Sequence, residues 1–142
     1  MPTSTANATW EGGLRNGRGH FNAGSGAFQG DYSFPTRFEG AKGTNPEELI
    51  AAAHAACLSM ALSAGLERAG TPATRITTTA SCTVAKVGDG FKITTMHLEV
   101  RGQVPGIDQA AFAAAADAAK QGCPVSGALK GNVAFELDAK LE

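Results

Sequence analysis

The segment GTNPEELIAAAHAACLSMALSAGLERAG limits what this chain can fold into more than any other. Asn45 can cap a helix, Pro46 suits the first helical position, Glu48 stands three residues after the cap and Gly70 supplies the stop, which predicts a helix from Pro46 to Ala69. Such a helix is about 24 residues long, roughly 36 Å at ~1.5 Å per residue. Between Glu48 and Glu67 its only ionisable side chains are His54 and Cys57. A helix that is apolar or small on nearly every face has to be buried nearly all round. Its length would also span a bilayer, but the acidic start, the charged end at Glu67 and Arg68 and the many alanines favour a central helix with close neighbours. One chain of 142 residues can hardly wrap it alone, so the helix points to an oligomer.

Composition points the same way. Charged residues make up 18% of the chain, below the ~25% typical of globular proteins, which is little charge for the surface of a small monomer. The length fits one domain spanning 1–142. Twelve basic against 13 acidic residues leave a net charge of -1, so no field gathers nucleic acid or anionic lipid, and neither is expected as a partner. The opening MPTSTANATWEGG lacks the basic and apolar regions of a secretory leader, and a cytoplasmic location is expected.

Around the helix the pattern is that of strands and turns. Ala6, Ala8 and Trp10 alternate, Asn16-Gly17 suggests a type I′ hairpin turn with positive φ at both residues, and Gly24-Ser25-Gly26 precedes Phe28, so a β-meander is expected to end near Phe38. After Pro72, Ile76, Thr78, Ala80, Cys82 and Val84 share one face of a strand. Gly88-Asp89-Gly90 turns the chain into a second strand, whose apolar phase shifts between Ile93 and Met96 and so predicts a bulge near Thr94 and Thr95. Asp108 looks like the cap of a helix ending at Gly122, Cys123-Pro124 opens a further short helical turn, and Val133 to Leu141 alternates as a one-sided strand. The order predicts an α+β fold with antiparallel sheets packed around long central helices.

Three cysteines, at 57, 82 and 123, with no CxxC pair, leave any thiol chemistry to be assembled by folding. Cys57 is either a small core residue or a reactive thiol; mid-helix it gains nothing from a helix N-terminus and would need a cation from elsewhere. Cys123, between Gly122 and Pro124, sits where some exposure is usual, and reads either as a reactive thiol or as an incidental cap. Cys82 shares its strand face with Ile76 and Val84 and reads as core. Helix capping explains Glu48 fully and Glu47 less fully. His20, His54 and His97 lack metal-ligand spacing, so no metal is expected; His54 could touch Cys57 but reads as a satisfied core histidine. Gly24-Ser25-Gly26 precedes no helix and is read as a turn, with no phosphate loop.

The block TRFEGAKGTNPEELIAAAHAACLSMAL, with GCPVS far downstream and VPGID at 104–108, closely resembles the OsmC family of osmotically inducible proteins, relatives of the organic hydroperoxide resistance (Ohr) proteins. The resemblance runs from Trp10 to the last strand. It implies an intertwined homodimer and a thiol peroxidase that reduces organic hydroperoxides, and hydrogen peroxide less efficiently, with no bound cofactor and an external dithiol or lipoylated protein as reductant. Cys57 matches the family's peroxidatic cysteine, Cys123 its resolving cysteine, and Arg37 and Glu47 the charged pair that activates the thiol. In the Ohr branch the arginine comes from the early loop, where this chain has Arg15 and Arg18; TRFEG favours Arg37.

Helix geometry adds that Glu47 and Cys57, on one helix, are roughly 15 Å apart along its axis, too far to touch. If Glu47 serves a Cys57 site, that site belongs to another subunit, and two antiparallel long helices in a C2 dimer would bring each helix start towards the other's middle. A redox-responsive stress protein that reacts once, and a dimer that binds a hydrophobic small molecule in an apolar interface pocket, are the alternatives from other classes; which of Phe28, Phe34, Met60, Phe91 and Met96 reach the site would set the shape of a peroxidase's substrate pocket.

Overall fold

In the computed structural model, which describes residues 1–142, the glycine-punctuated opening forms three antiparallel strands, β1 (Ala6–Glu11), β2 (Arg18–Ala23) and β3 (Gln29–Tyr32). The meander therefore ends at Tyr32 and not near Phe38. A short helix, α1 (Phe34–Phe38), follows because Ser33 and Thr36 cap each other: Thr36 N donates to Ser33 Oγ at 3.3 Å and Ser33 N donates to Thr36 Oγ1 at 2.9 Å. Pro35 has no N–H to give a strand ladder and fits that first turn. The expected two-residue turn at Asn16-Gly17 is replaced by a longer loop between Glu11 and Arg18, and neither residue has a positive φ. Gly17 is needed there for close approach: a Cβ would stand 2.6 Å from the Glu11 carbonyl and 2.8 Å from the Trp10 indole nitrogen.

The chain divides into two compact units, Met1–Glu48 and Leu49–Glu142. The long helix, α2 (Pro46–Arg68), begins in the first and continues through the second. Glu48 N donates to Asn45 Oδ1 at 2.8 Å, as a cap requires, but the Glu48 carboxylate accepts from the Thr44 hydroxyl at 3.0 Å and not from the Asn45 backbone.

In Leu49–Glu142, α2 buries one stripe, Ala51, His54, Leu58, Leu62 and Leu66, at the three- and four-residue spacing of a single helix face. Burial nearly all round is not met within one chain. The opposite face, with Ala52, Ala56 and Ser63 exposed and Met60 76% exposed, is left open because the sheet covers one side only. That sheet runs in the order β4 (Arg75–Val87), β5 (Gly90–Gln103), β6 (Ala134–Leu141). The expected bulge is present: Thr83 pairs with Thr95 and Val84 with Ile93, so Thr94 is the extra residue. Met96, Leu98 and Val100 of β5 are fully buried in the same core as Leu58 and Leu62. Truncating Leu62 to Ala would cost about 2–5 kcal/mol.

The α+β class holds, with one departure from a purely antiparallel sheet: β6 runs parallel to β5. The chain returns from β5 through α3 (Gln109–Gly122) and α4 (Pro124–Leu129), and a helical crossover of that length allows parallel pairing. Asp108 caps α3 by accepting from Ala111 N at 2.8 Å. Phe112 packs its ring onto Gly102 of β5, where any Cβ would collide with it, so α3 lies close against the sheet.

Candidate active site

Gly122 and Pro124 create the site's sharpest local feature. A residue before proline is driven out of the α region, and Cys123 leaves the helix with φ -65° and ψ 131°. That break turns its side chain inward, so Cys123 is 1% exposed, against the partial exposure expected at such a junction. Its sulfur lies 2.9 Å from that of Cys57, which α2 presents from its half-buried flank beside Leu58. Cys82 is half-buried and packs against the core, as read from its strand face.

Two sulfurs this close share a proton, and either can carry it. Burial alone would raise the Cys123 thiol, but Cys57, the backbone N–H and hydroxyl of Ser126 and the Val125 backbone all favour its thiolate and bring it net below the ordinary thiol value. Cys57 is pushed up by burial first, then by its bond with Cys123, against a smaller lowering from the Val125 backbone. The donors converging on Cys123 therefore favour ionisation of Cys123 over that of Cys57. Within Leu49–Glu142, ionising Cys57 calls for an added cation.

Behind this pair lies a feature that sequence reasoning missed. His54 is fully buried and its Nε2 is 2.7 Å from Ser126 Oγ, while Nδ1 has no hydrogen-bond partner. Burial holds the imidazole below its usual pKa, hence neutral. The spacing of His54 to Cys57 suggested a contact with that thiol or a satisfied core histidine; the actual partner, 72 residues away, carries no local sequence signal.

In Met1–Glu48, Arg37 and Glu47 come together. Arg37 Nε donates to both Glu47 oxygens, at 3.1 and 3.3 Å, and Nη2 donates to Oε1 at 2.7 Å. Glu47 is 4% exposed, which explains why capping alone did not account for it: its buried carboxylate is held by a guanidinium. The hydrogen bonds to Glu47 leave Nη1 of Arg37 for another acceptor. Arg37 also lines a cavity of about 200 Å³ with Trp10, Tyr32, Phe34 and Phe38, and the Arg15 guanidinium lies 4.7 Å over the Phe34 ring. Arg18 instead lines a polar groove with Glu11, His20 and Asp31. Of the five side chains offered for an apolar pocket, Phe34 lines this cavity, Met96 is part of the core, and Phe28, Met60 and Phe91 are exposed.

The four expected site residues thus form two pairs, Cys57 with Cys123 and Arg37 with Glu47. Residues 39–138 match the family model described as OsmC-like protein. The chain is 50% identical over 134 residues to the peroxiredoxin OsmC of Escherichia coli K12, covering 94% of each. It is 36% identical to the organic hydroperoxide resistance protein of Xanthomonas axonopodis pv. citri, over 94% of this chain and 92% of that one. The crystal structure of the organic hydroperoxide resistance protein OhrB of Bacillus subtilis superposes with a TM-score of 0.76 at 31% identity, over 96% of this chain and 98% of that one.

Proposed function

Because the chain belongs to the OsmC-like protein family, we propose that it is a thiol-dependent peroxidase that reduces organic hydroperoxides, and hydrogen peroxide more weakly, in cytoplasmic defence against oxidative and osmotic stress. The observation that carries this reading is the 2.9 Å approach of Cys57 and Cys123 at the break before Pro124. The Cys57 thiolate attacks the distal peroxide oxygen; an S–O bond forms, the O–O bond breaks, and the alkoxide takes a proton and leaves as the alcohol. Cys123 then attacks the resulting sulfenic acid as a thiolate, the S–O bond breaks and hydroxide leaves as water with the proton Cys123 gave up. An external dithiol, free or on a lipoylated protein, reduces the disulfide, and no bound cofactor takes part.

Arg37 supplies the cation that Cys57 needs. Its guanidinium, oriented by Glu47, stabilises the thiolate and polarises the peroxide, and the aromatic cavity beside it receives the apolar part of the substrate. Glu47 cannot reach the Cys57 of its own helix, and α2 leaves one face of small residues open, so the sites are completed across a homodimer: Cys57 and Cys123 of one protomer, Arg37 and Glu47 of its partner.

Mixing an inactive and a strongly impaired variant tests both parts of this reading. Cys57→Ser and Arg37→Ala chains, unfolded and refolded together, regain about a quarter of the wild-type dithiol-dependent turnover of cumene hydroperoxide, because half the dimers are mixed and each has one complete site. No regain, with wild type active, rejects the shared site; no turnover by the wild type rejects the peroxidase.

A further inference from the structure

We propose that His54, through the Ser126 hydroxyl, positions a proton donor on Cys123 and so holds the resolving thiol ready to attack and ready to leave. The proposal deepens the peroxidase reading and rests on it only for the role of Cys123.

The three groups form a buried chain: His54 is 0% exposed, Ser126 2% and Cys123 1%. His54 Nε2 lies 2.7 Å from Ser126 Oγ. Ser126 stands one helical turn after Cys123, as Cys57 stands one turn after His54, and the Ser126 hydroxyl is among the groups that favour the Cys123 thiolate. Two tautomers fit the first contact. If Nδ1 carries the proton, an N–H donor is orphaned in the core and the Ser126 proton is drawn to Nε2, away from the sulfur. If Nε2 carries it, only a lone pair is left without a partner, and the hydroxyl proton is free to point at Cys123. Buried orphan donors cost more than under-used acceptors, so the second arrangement prevails. Phe135, whose ring stands edge-on 5.2 Å from the imidazole, keeps the histidine dry and neutral.

A donor on the sulfur acts twice in the cycle. In closure it favours the Cys123 thiolate, which breaks the Cys57 S–O bond and makes the disulfide. In recycling, the dithiol attacks the Cys57 sulfur, Cys123 departs as a thiolate, and a lower-pKa thiol leaves faster. His54 exchanges no atom with the substrate; it is a positioning residue. Around Cys123 and Ser126 the titratable and charged groups are Cys57 and His54 on α2, with Lys120 of α3 and Lys130 just after α4, which line a cavity of about 120 Å³ beside Ser126. β6 contributes only Phe135 there.

The first test needs no peroxide. In full-length protein carrying Cys57→Ser and Cys82→Ala, which leaves Cys123 as the sole thiol, its ionisation is followed by thiolate ultraviolet absorbance. His54→Leu and Ser126→Ala are each expected to raise its midpoint by about one pH unit, a tenfold loss of thiolate at a fixed lower pH. His54→Gln, which keeps an N–H for Ser126, restores the midpoint. An unmoved midpoint in His54→Leu, or one equally moved in His54→Gln, overturns the proposal. The second test uses both cysteines. After one equivalent of cumene hydroperoxide, trapping with dimedone shows Cys57 oxidation at the wild-type rate in His54→Leu and disulfide closure about tenfold slower. Equal slowing of both steps marks general disruption and overturns it. If the wild type never reacts with hydroperoxide, the peroxidase reading fails, and the titration alone decides whether His54 acts on Cys123.

Discussion

Met1–Glu48 and Leu49–Glu142 each hold one pair of candidate site residues, and they treat charge in opposite ways. Arg37 meets Glu47 with three hydrogen bonds, the shortest 2.7 Å, so the buried carboxylate is compensated and the guanidinium keeps donor capacity. Cys57 and Cys123 stand 2.9 Å apart, and the groups that favour the Cys123 thiolate are neutral ones, the Ser126 hydroxyl and backbone amides among them. One region holds an oriented cation without a thiol; in the other, no cation acts on the two thiols.

The largest effect is expected from Cys57→Ser, which abolishes dithiol-dependent hydroperoxide reduction altogether. Cys123→Ser separates the two thiols: mass spectrometry shows one fast oxidation of Cys57 and then sulfinic acid, with no sustained turnover. Breaking the other pair is milder. Arg37→Ala lowers kcat/KM for cumene hydroperoxide by about a hundredfold, the scale of losing one donor to a developing charge. Arg37→Lys recovers little, since an ammonium cannot hold both Glu47 oxygens and a third acceptor in one plane. Arg37→Ala also leaves Glu47 buried without its partner and destabilises the fold by about 2–3 kcal/mol in urea unfolding, whereas Glu47→Gln costs less.

The smallest effect concerns pH. His54 has a folded pKa below its unfolded one, so the unfolded chain binds the extra proton. The stability from its neutral burial is complete above about pH 6.5 and is lost as pH falls through the folded value. Stability of the wild type should fall more steeply on acidification below about pH 6.5 than that of His54→Gln; matching slopes would remove the histidine from the account.

Much of this was legible from the chain alone. The caps at Asn45 and Asp108, the bulge at Thr94 and the helical restart at Pro124 are local devices, and each appears where turn chemistry and periodicity put it. The short helix at Phe34–Phe38 was missed because a reciprocal Ser33–Thr36 cap uses threonine where Glu or Gln is the usual signal. The parallel pairing of β6 was hidden because strand periodicity fixes a face but not a direction. At the candidate site, Cys57, Cys123, Arg37 and Glu47 were named through the family motifs, whereas the join of His54 to Ser126 depends on how α4 packs against α2 and has no signature in either segment.

The break at Cys123 has a thermodynamic consequence as well as a chemical one. Cys57 and Cys123 are 66 positions apart, and β4, β5 and α3 lie between them. A bond between the two sulfurs would close that whole stretch into a ring and remove chain entropy from the unfolded state, worth roughly 4 kcal/mol on the loop-closure relation. Each turnover would then alternate between a tighter oxidised fold and a looser reduced one. The melting temperature itself would report which half of the cycle the protein occupies, and a cell under peroxide would hold the form that resists unfolding best.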